Sequence, residues 1–121
     1  MKLKTYKRVT CRDEYSVSVQ AGENNYCIPR DDSGPYTAVE LGFPTMADPM
    51  LNGYAEDSSN LTETVYGYVP VMIVRDLIVK HGGAVMGECP PGVVMLMAEG
   101  MESIREAWEQ KRLREEKEEN K

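Results

Sequence analysis

Apolar and polar residues alternate through EYSVSVQ, residues 14–20. Tyr15, Val17 and Val19 fall on one face and Ser16, Ser18 and Gln20 on the other, the period-two pattern of a half-buried strand. The preceding KLKTYKRV mixes strand formers with lysines, which suits an edge strand. AGENN is turn chemistry, NYCI predicts a short strand, and RDDSGP predicts a second turn. TAVELGF then sets Thr37, Val39, Leu41 and Phe43 on one face. The expectation is a meander of four short antiparallel strands.

Residues 44–64 are polar, rich in Gly, Pro, Asp and Ser, and lack a sustained period. They predict a long connection with one helical turn around Met50–Tyr54, and connections of this length in compact domains often carry function. The period then changes. Val71, Val74, Leu77 and Ile78 follow Pro70 at helical spacing and Gly82 with Gly83 is a stop signal, so a helix is predicted over Pro70–His81. After the Gly/Pro stretch MGECPPG, Met97, Met101, Ile104 and Trp108 recur at spacings of four, three and four. That stripe predicts a second helix. Beyond Trp108 the charges of EQKRLREEKEENK interleave, as on a solvated helix end that frays.

The expected fold is therefore α+β, an N-terminal antiparallel β-meander followed by two C-terminal helices. It divides one domain into a sheet with its long loop (1–69), two helices (70–108) and a solvated end (109–121). A chain of 121 residues has room for one modest core.

Charge narrows the function. With 20 acidic against 14 basic residues and a net charge of -6, the chain is unsuited to coating nucleic acid directly. Any anion it binds must be met by local arginines. No apolar run approaches the roughly 20 residues of a membrane span, and MKLKTYKRV lacks the apolar segment of a secretory leader. Cys11, Cys27 and Cys89 form no C-x-x-C pair, which points to a reduced, cytoplasmic setting.

Catalytic signals are sparse. His81, the single histidine, stands where the predicted helix ends, a position that favours a cap or dipole partner over a base. A Cys27 and His81 nucleophile–base pair is conceivable, yet nothing in the sequence brings the two together. Asp31 and Asp32 lie in a turn where aspartate is common, and no set of strong ligands has metal-site spacing. HGGAVMGECPPG lacks the pattern of a phosphate-cradling loop. No catalytic residue, metal or cofactor is expected, and the chain is expected not to be an enzyme.

What remains is a set of arginines and tyrosines. Arg30 opens a turn flanked by Tyr26 and Tyr36; Tyr66 and Tyr68 share a face if VYGYV is extended, and Arg75 follows on the helix. Phenol rings can stack on a base, and guanidinium forks match phosphate oxygens, so the set suits a small anionic nucleotide. Ordinary scaffolding is the competing reading: Arg30 paired with Asp31 or Asp32, and Arg75 with Asp76. The stripe of Met97, Met101, Ile104 and Trp108 is more than a small sheet can cover, and predicts a homo-oligomer through the C-terminal helix.

The succession YSVSVQ, YCIPR, GPYTAVELGFP, YAED, TVYGYVPV and KHGG, over residues 15–83, resembles a group of small phage and prophage proteins. The layout, an N-terminal antiparallel sheet followed by two helices in an oligomer, is similar to the Thoeris anti-defence sponge family. The resemblance lies in architecture, size and residue type, and assigns no binding residue. It implies a counter-defence protein of the host cytoplasm that sequesters a cyclic ADP-ribose signal without cleaving it, in pockets shared between subunits. The alternative is an acidic inhibitor of a host nuclease such as a CRISPR effector, its EEKEEN end and AED loop mimicking nucleic acid.

Overall fold

The computed structural model describes residues 5–99 and 109–116. Strands β1 (Val9–Cys11), β2 (Ser16–Gln20), β3 (Ala38–Gly42), β4 (Val65–Pro70) and β5 (Ala84–Met86) form one antiparallel sheet in the order β4-β3-β2-β1-β5. Helix α1 (Val71–Lys80) links β4 to β5, a 3-10 turn covers Asn52–Tyr54, and residues 109–116 are helical. The fold is α+β, with most strands in the first half and one helix late, as the periodicity predicts.

Alternation places the sheet side of the core. Val17 and Val19 of β2, Val39 and Leu41 of β3, and Tyr66 and Val69 of β4 are fully buried against Val74, Leu77 and Ile78 of α1. Leu51 from the long connection joins them. Truncating one of these aliphatic side chains to alanine costs about 2–5 kcal/mol.

The end of α1 follows local chemistry. Gly82 (φ +94°) donates to the Val79 carbonyl and Gly83 (φ +91°) to that of Ile78, a Schellman motif that satisfies two carbonyls the helix leaves open. His81 is the capping residue, as its position implies.

Four expectations change. Among the described residues of KLKTYKRV, 5–8 form no strand: the strand is Val9–Cys11, and it lies inside the sheet between β2 and β5 and not at an edge, because Val9 and Cys11 belong to the core. The NYCI strand reduces to one bridge between Ile28 and Ala38; Cys27 spends its amide on the turn carbonyl of Asn25, and Pro29 has no N–H to extend a ladder. Phe43 and Thr37 do not continue the buried face of Val39 and Leu41. Phe43 turns out to solvent at φ +53°, and Thr37 is exposed beyond the strand's start. Met97 is not helical: Ala84 donates to the Leu96 carbonyl and accepts from the Ala98 amide, so sheet bonding at the β5 edge overrides the helical spacing. Met101, Ile104 and Trp108 lie outside the described residues.

Both flanks of the sheet are covered. Residues 96–98 bond along β5, while Glu56 donates to Val65 and Tyr68 donates to Tyr26 along β4. Covered edges offer no ladder for another chain to extend.

Candidate functional site

Strand β4 contains a bulge. Val39 pairs with Val69 and Leu41 with Tyr66, so Gly67 and Tyr68 together oppose the single residue Glu40. The extra residue breaks the alternation that would give Tyr66 and Tyr68 one face. Tyr66 is fully buried and its hydroxyl donates to the Leu61 carbonyl, whereas Tyr68 is 47% exposed. Tyr68 adopts φ +55°, a left-handed conformation that a bulky side chain avoids. Backbone strain of this kind costs about 1–3 kcal/mol and clusters at functional positions.

The bulge creates a seat for Tyr26. Tyr68 donates its amide to the Tyr26 carbonyl at 3.0 Å, and the Glu40 carboxylate accepts from the Tyr26 amide (3.1 Å) and the Asn25 side chain (3.2 Å). Gly67 leaves room for the approach: a Cβ there would lie 3.1 Å from that of Tyr26. The outcome is a pair of exposed rings, Tyr26 and Tyr68, with centroids 5.8 Å apart and planes tilted by 41°. The Arg30 guanidinium stands 5.4 Å from the Tyr26 ring centre, a cation–π contact.

Arg30 has no carboxylate partner among the described residues. Asp31 accepts from the amides of Ser33 and Gly34, which holds its carboxyl below the usual range, and Asp32 accepts from the amide of Glu23. Both neighbouring acids are thus spent on turns. The other expected members part from this group. Arg75 is paired with Asp76 at 3.0 Å, as the scaffolding reading has it. Tyr36 is buried, its hydroxyl donating to the Asp31 carbonyl at 2.8 Å, so it braces the turn from within. Burial pushes the hydroxyls of Tyr36 and Tyr66 up from their ordinary value. Of the six predicted residues, Tyr26, Arg30 and Tyr68 lie together on the exposed surface, while Tyr36, Tyr66 and Arg75 bond to other partners away from this group.

A second polar cluster escaped the sequence reading. His81 Nδ1 lies 2.6 Å from Asp13 Oδ2, and its Nε2 lies 2.8 Å from Asp48 Oδ2. The ring stacks on Tyr15 at 3.9 Å and 9°. Lys80 bonds the second oxygen of Asp48 at 3.0 Å, and the Met50 amide bonds the same oxygen at 2.9 Å. Burial opposes the charge of Asp48, but the Met50 amide, His81 and Lys80 outweigh it and hold its carboxyl below the usual range. Burial opposes the Asp13 charge as well, and His81 with the Tyr15 amide draws its carboxyl down. Three separate segments meet at one imidazole: the β1–β2 turn, the long connection and the helix end.

This arrangement is poor at proton abstraction. Both ring nitrogens lie at hydrogen-bond distance from carboxylates, so neither faces a space that a substrate could occupy. Cys27 keeps its thiol on the carbonyls of Gly22 and Pro29, with no bond to His81. Burial raises Cys11 to about 11 and Cys89 to about 12, and all three cysteines are free of disulfides. Among the described residues no group of three or more His, Cys, Asp and Glu side chains is placed to hold a metal ion, and no helix is long and apolar enough to cross a membrane. The only signal for the His81 cluster in the sequence was the helix-end position of the histidine; its carboxylate partners come from 33 and 68 residues away. Comparison with protein-family models, curated proteins and solved structures finds no match for this chain.

Proposed function

We propose that the protein is a binding module that captures a planar, anionic small molecule of the nucleotide class on the Tyr26–Arg30–Tyr68 platform and acts by holding it. The observation that carries this reading is the strained bulge: a tyrosine at φ +55° is turned outward beside a second exposed tyrosine and an arginine with no carboxylate partner among the described residues. The rings, 5.8 Å apart and tilted, are too close to sandwich a base between them. A base would stack on the open face of one ring while Arg30 meets the phosphate. Arg30 is the one strong cation of the set left for this role, in a chain whose charge of -6 otherwise repels anions.

The groups a cleaving mechanism would call on are already engaged, His81 by two carboxylates and the thiols by burial, which favours sequestration over turnover. The resemblance to the anti-defence sponge family narrows the ligand to a cyclic ADP-ribose signal. The acidic-inhibitor alternative rests on the net charge and on the acidic EEKEEN and AED segments.

Calorimetric titration with cyclic ADP-ribose isomers, ADP-ribose and cyclic dinucleotides tests the proposal. Base–aromatic stacking is worth about 1–3 kcal/mol, so Tyr68→Ala should weaken binding by roughly 5- to 150-fold. Arg30→Gln should weaken it at least about tenfold. Mass spectrometry should recover the ligand unchanged. Absence of binding by every ligand, or an affinity indifferent to Tyr68→Ala, would overturn the assignment.

A further inference from the structure

Leu51 is fully buried in the core, and the two residues after it, Asn52 and Gly53, are exposed on the 3-10 turn. The turn holds Asn52 loosely: its amide donates to the Pro49 carbonyl at 3.4 Å and its carbonyl accepts from the Ala55 amide at 3.4 Å, both longer than the roughly 2.7–3.2 Å of a good N–H···O bond. Segments held by such bonds open locally at little cost. The other asparagines among the described residues are engaged at one point or another. Asn24 is followed by an amide that donates to the Gly22 carbonyl. Asn25 donates its side chain to Glu40 and is followed by the Tyr26 amide, bonded to the same carboxylate. Asn60 donates its side chain to Asp57. Asn52 differs from all three: neither its side-chain amide nor the following Gly53 amide makes a hydrogen bond among the described residues. Gly53 also has no side chain to screen its nitrogen, and the space beside it is open.

We propose that Asn52 and Gly53 form a self-modification site, at which the folded chain converts its own asparagine to aspartate and isoaspartate. The Gly53 backbone nitrogen attacks Asn52 Cγ. The N–Cγ bond forms, the Cγ–Nδ2 bond breaks, and the Gly53 amide proton leaves with the side-chain nitrogen as ammonia. Water then adds to one carbonyl of the resulting cyclic imide and opens it. Opening at Cγ leaves aspartate; opening at the main-chain carbonyl leaves isoaspartate, whose backbone runs through the former side chain and is one methylene longer. Either product gains a negative charge. The longer backbone falls between Leu51, which anchors the connection in the core, and Ala55, which bridges to Tyr66.

The test is incubation of the full chain, folded, in warm and mildly alkaline buffer, with peptide mapping by tandem mass spectrometry and methyl transfer by an isoaspartyl methyltransferase as readouts. Asn52 should convert to both products while Asn24, Asn25 and Asn60 keep their amides over the same interval. Gly53→Ala should slow conversion by at least about tenfold, because the added methyl hinders the attacking nitrogen. That variant should fold as the parent does, since a Cβ at position 53 meets nothing within 4 Å. In urea the Asn52 rate should change by less than about tenfold, as expected of a site the fold leaves open, whereas the Asn25 rate should rise once Glu40 no longer holds it. An Asn52 amide that outlasts those of Asn25 and Asn60, a Gly53→Ala variant that converts at the parent rate, or an Asn52 rate that climbs in urea as steeply as that of Asn25 would overturn the site.

Discussion

Replacing His81 with alanine strips the junction of three segments of its shared donor. The bond to Asp48, whose side chain is only 3% exposed, is charge-assisted and contributes about 1.5–3 kcal/mol. The bond to Asp13 is worth less than about 1 kcal/mol, because that carboxylate is half exposed and screened by water. Loss of the stack on Tyr15 adds about 0.5–1.5 kcal/mol. Asp48 keeps Lys80 and the Met50 amide, so it is not left bare, and the expected loss is about 3 kcal/mol.

A domain of this size has a total stability of about 6–18 kcal/mol, so the variant should remain folded with a melting temperature lower by roughly 10 °C. Urea unfolding followed by far-UV circular dichroism near neutral pH measures the difference. A loss below about 1 kcal/mol would refute the clamp.

Acid adds a second arm to the same experiment. The folded carboxyls of Asp13 and Asp48 both lie below their ordinary value of 3.8. The stabilisation they carry is therefore complete above about pH 4 and is lost as pH falls through the folded values. The wild-type chain should lose stability in that acid range more steeply than His81→Ala, which has already lost the donor. Parallel acid profiles for the two proteins would show that these carboxyls are not lowered by His81.

Gly83→Ala would place a Cβ 2.7 Å from the backbone of Ala98 at φ +91°, so a loss of at least about 2 kcal/mol is expected in thermal unfolding; a loss under about 0.5 kcal/mol would mean that residues 96–98 yield freely. Gly67→Ala should crowd Tyr26, leave the fold intact and weaken ligand binding by about tenfold, one lost stacking contact; unaltered affinity would remove Gly67 from the seat of the platform. Cys11, buried and raised to about 11, should react with a thiol reagent at mildly alkaline pH only after unfolding, and its prompt labelling in the native chain would contradict its burial.

Local pattern accounts for the parts of this fold that depend on neighbours in sequence. SVSVQ alternates and becomes β2, Val74, Leu77 and Ile78 fall at helical spacing and become the buried stripe of α1, and two glycines supply the left-handed turn that ends it. Period two and period 3.6 are properties of a few consecutive residues, so they survive in the sequence as printed. Net charge likewise showed that an anion would need arginines, and the Arg30 turn was marked by its own residues.

Tertiary structure decided the rest. Whether Arg30 or Arg75 stayed without a carboxylate depended on which acids the turns consumed: Asp31 and Asp32 bond backbone amides, while Asp76 is left to Arg75. The bulge that separates Tyr66 from Tyr68 exists because β4 must keep pairing with β3 on both sides of Glu40, a register set across strands rather than along one. The Asp13–His81–Asp48 cluster joins residues separated by 68 and 33 positions, and β5 reaches β1 only after the chain has crossed the helix. Such contacts are fixed by the packing of the whole core, which no short window of sequence encodes.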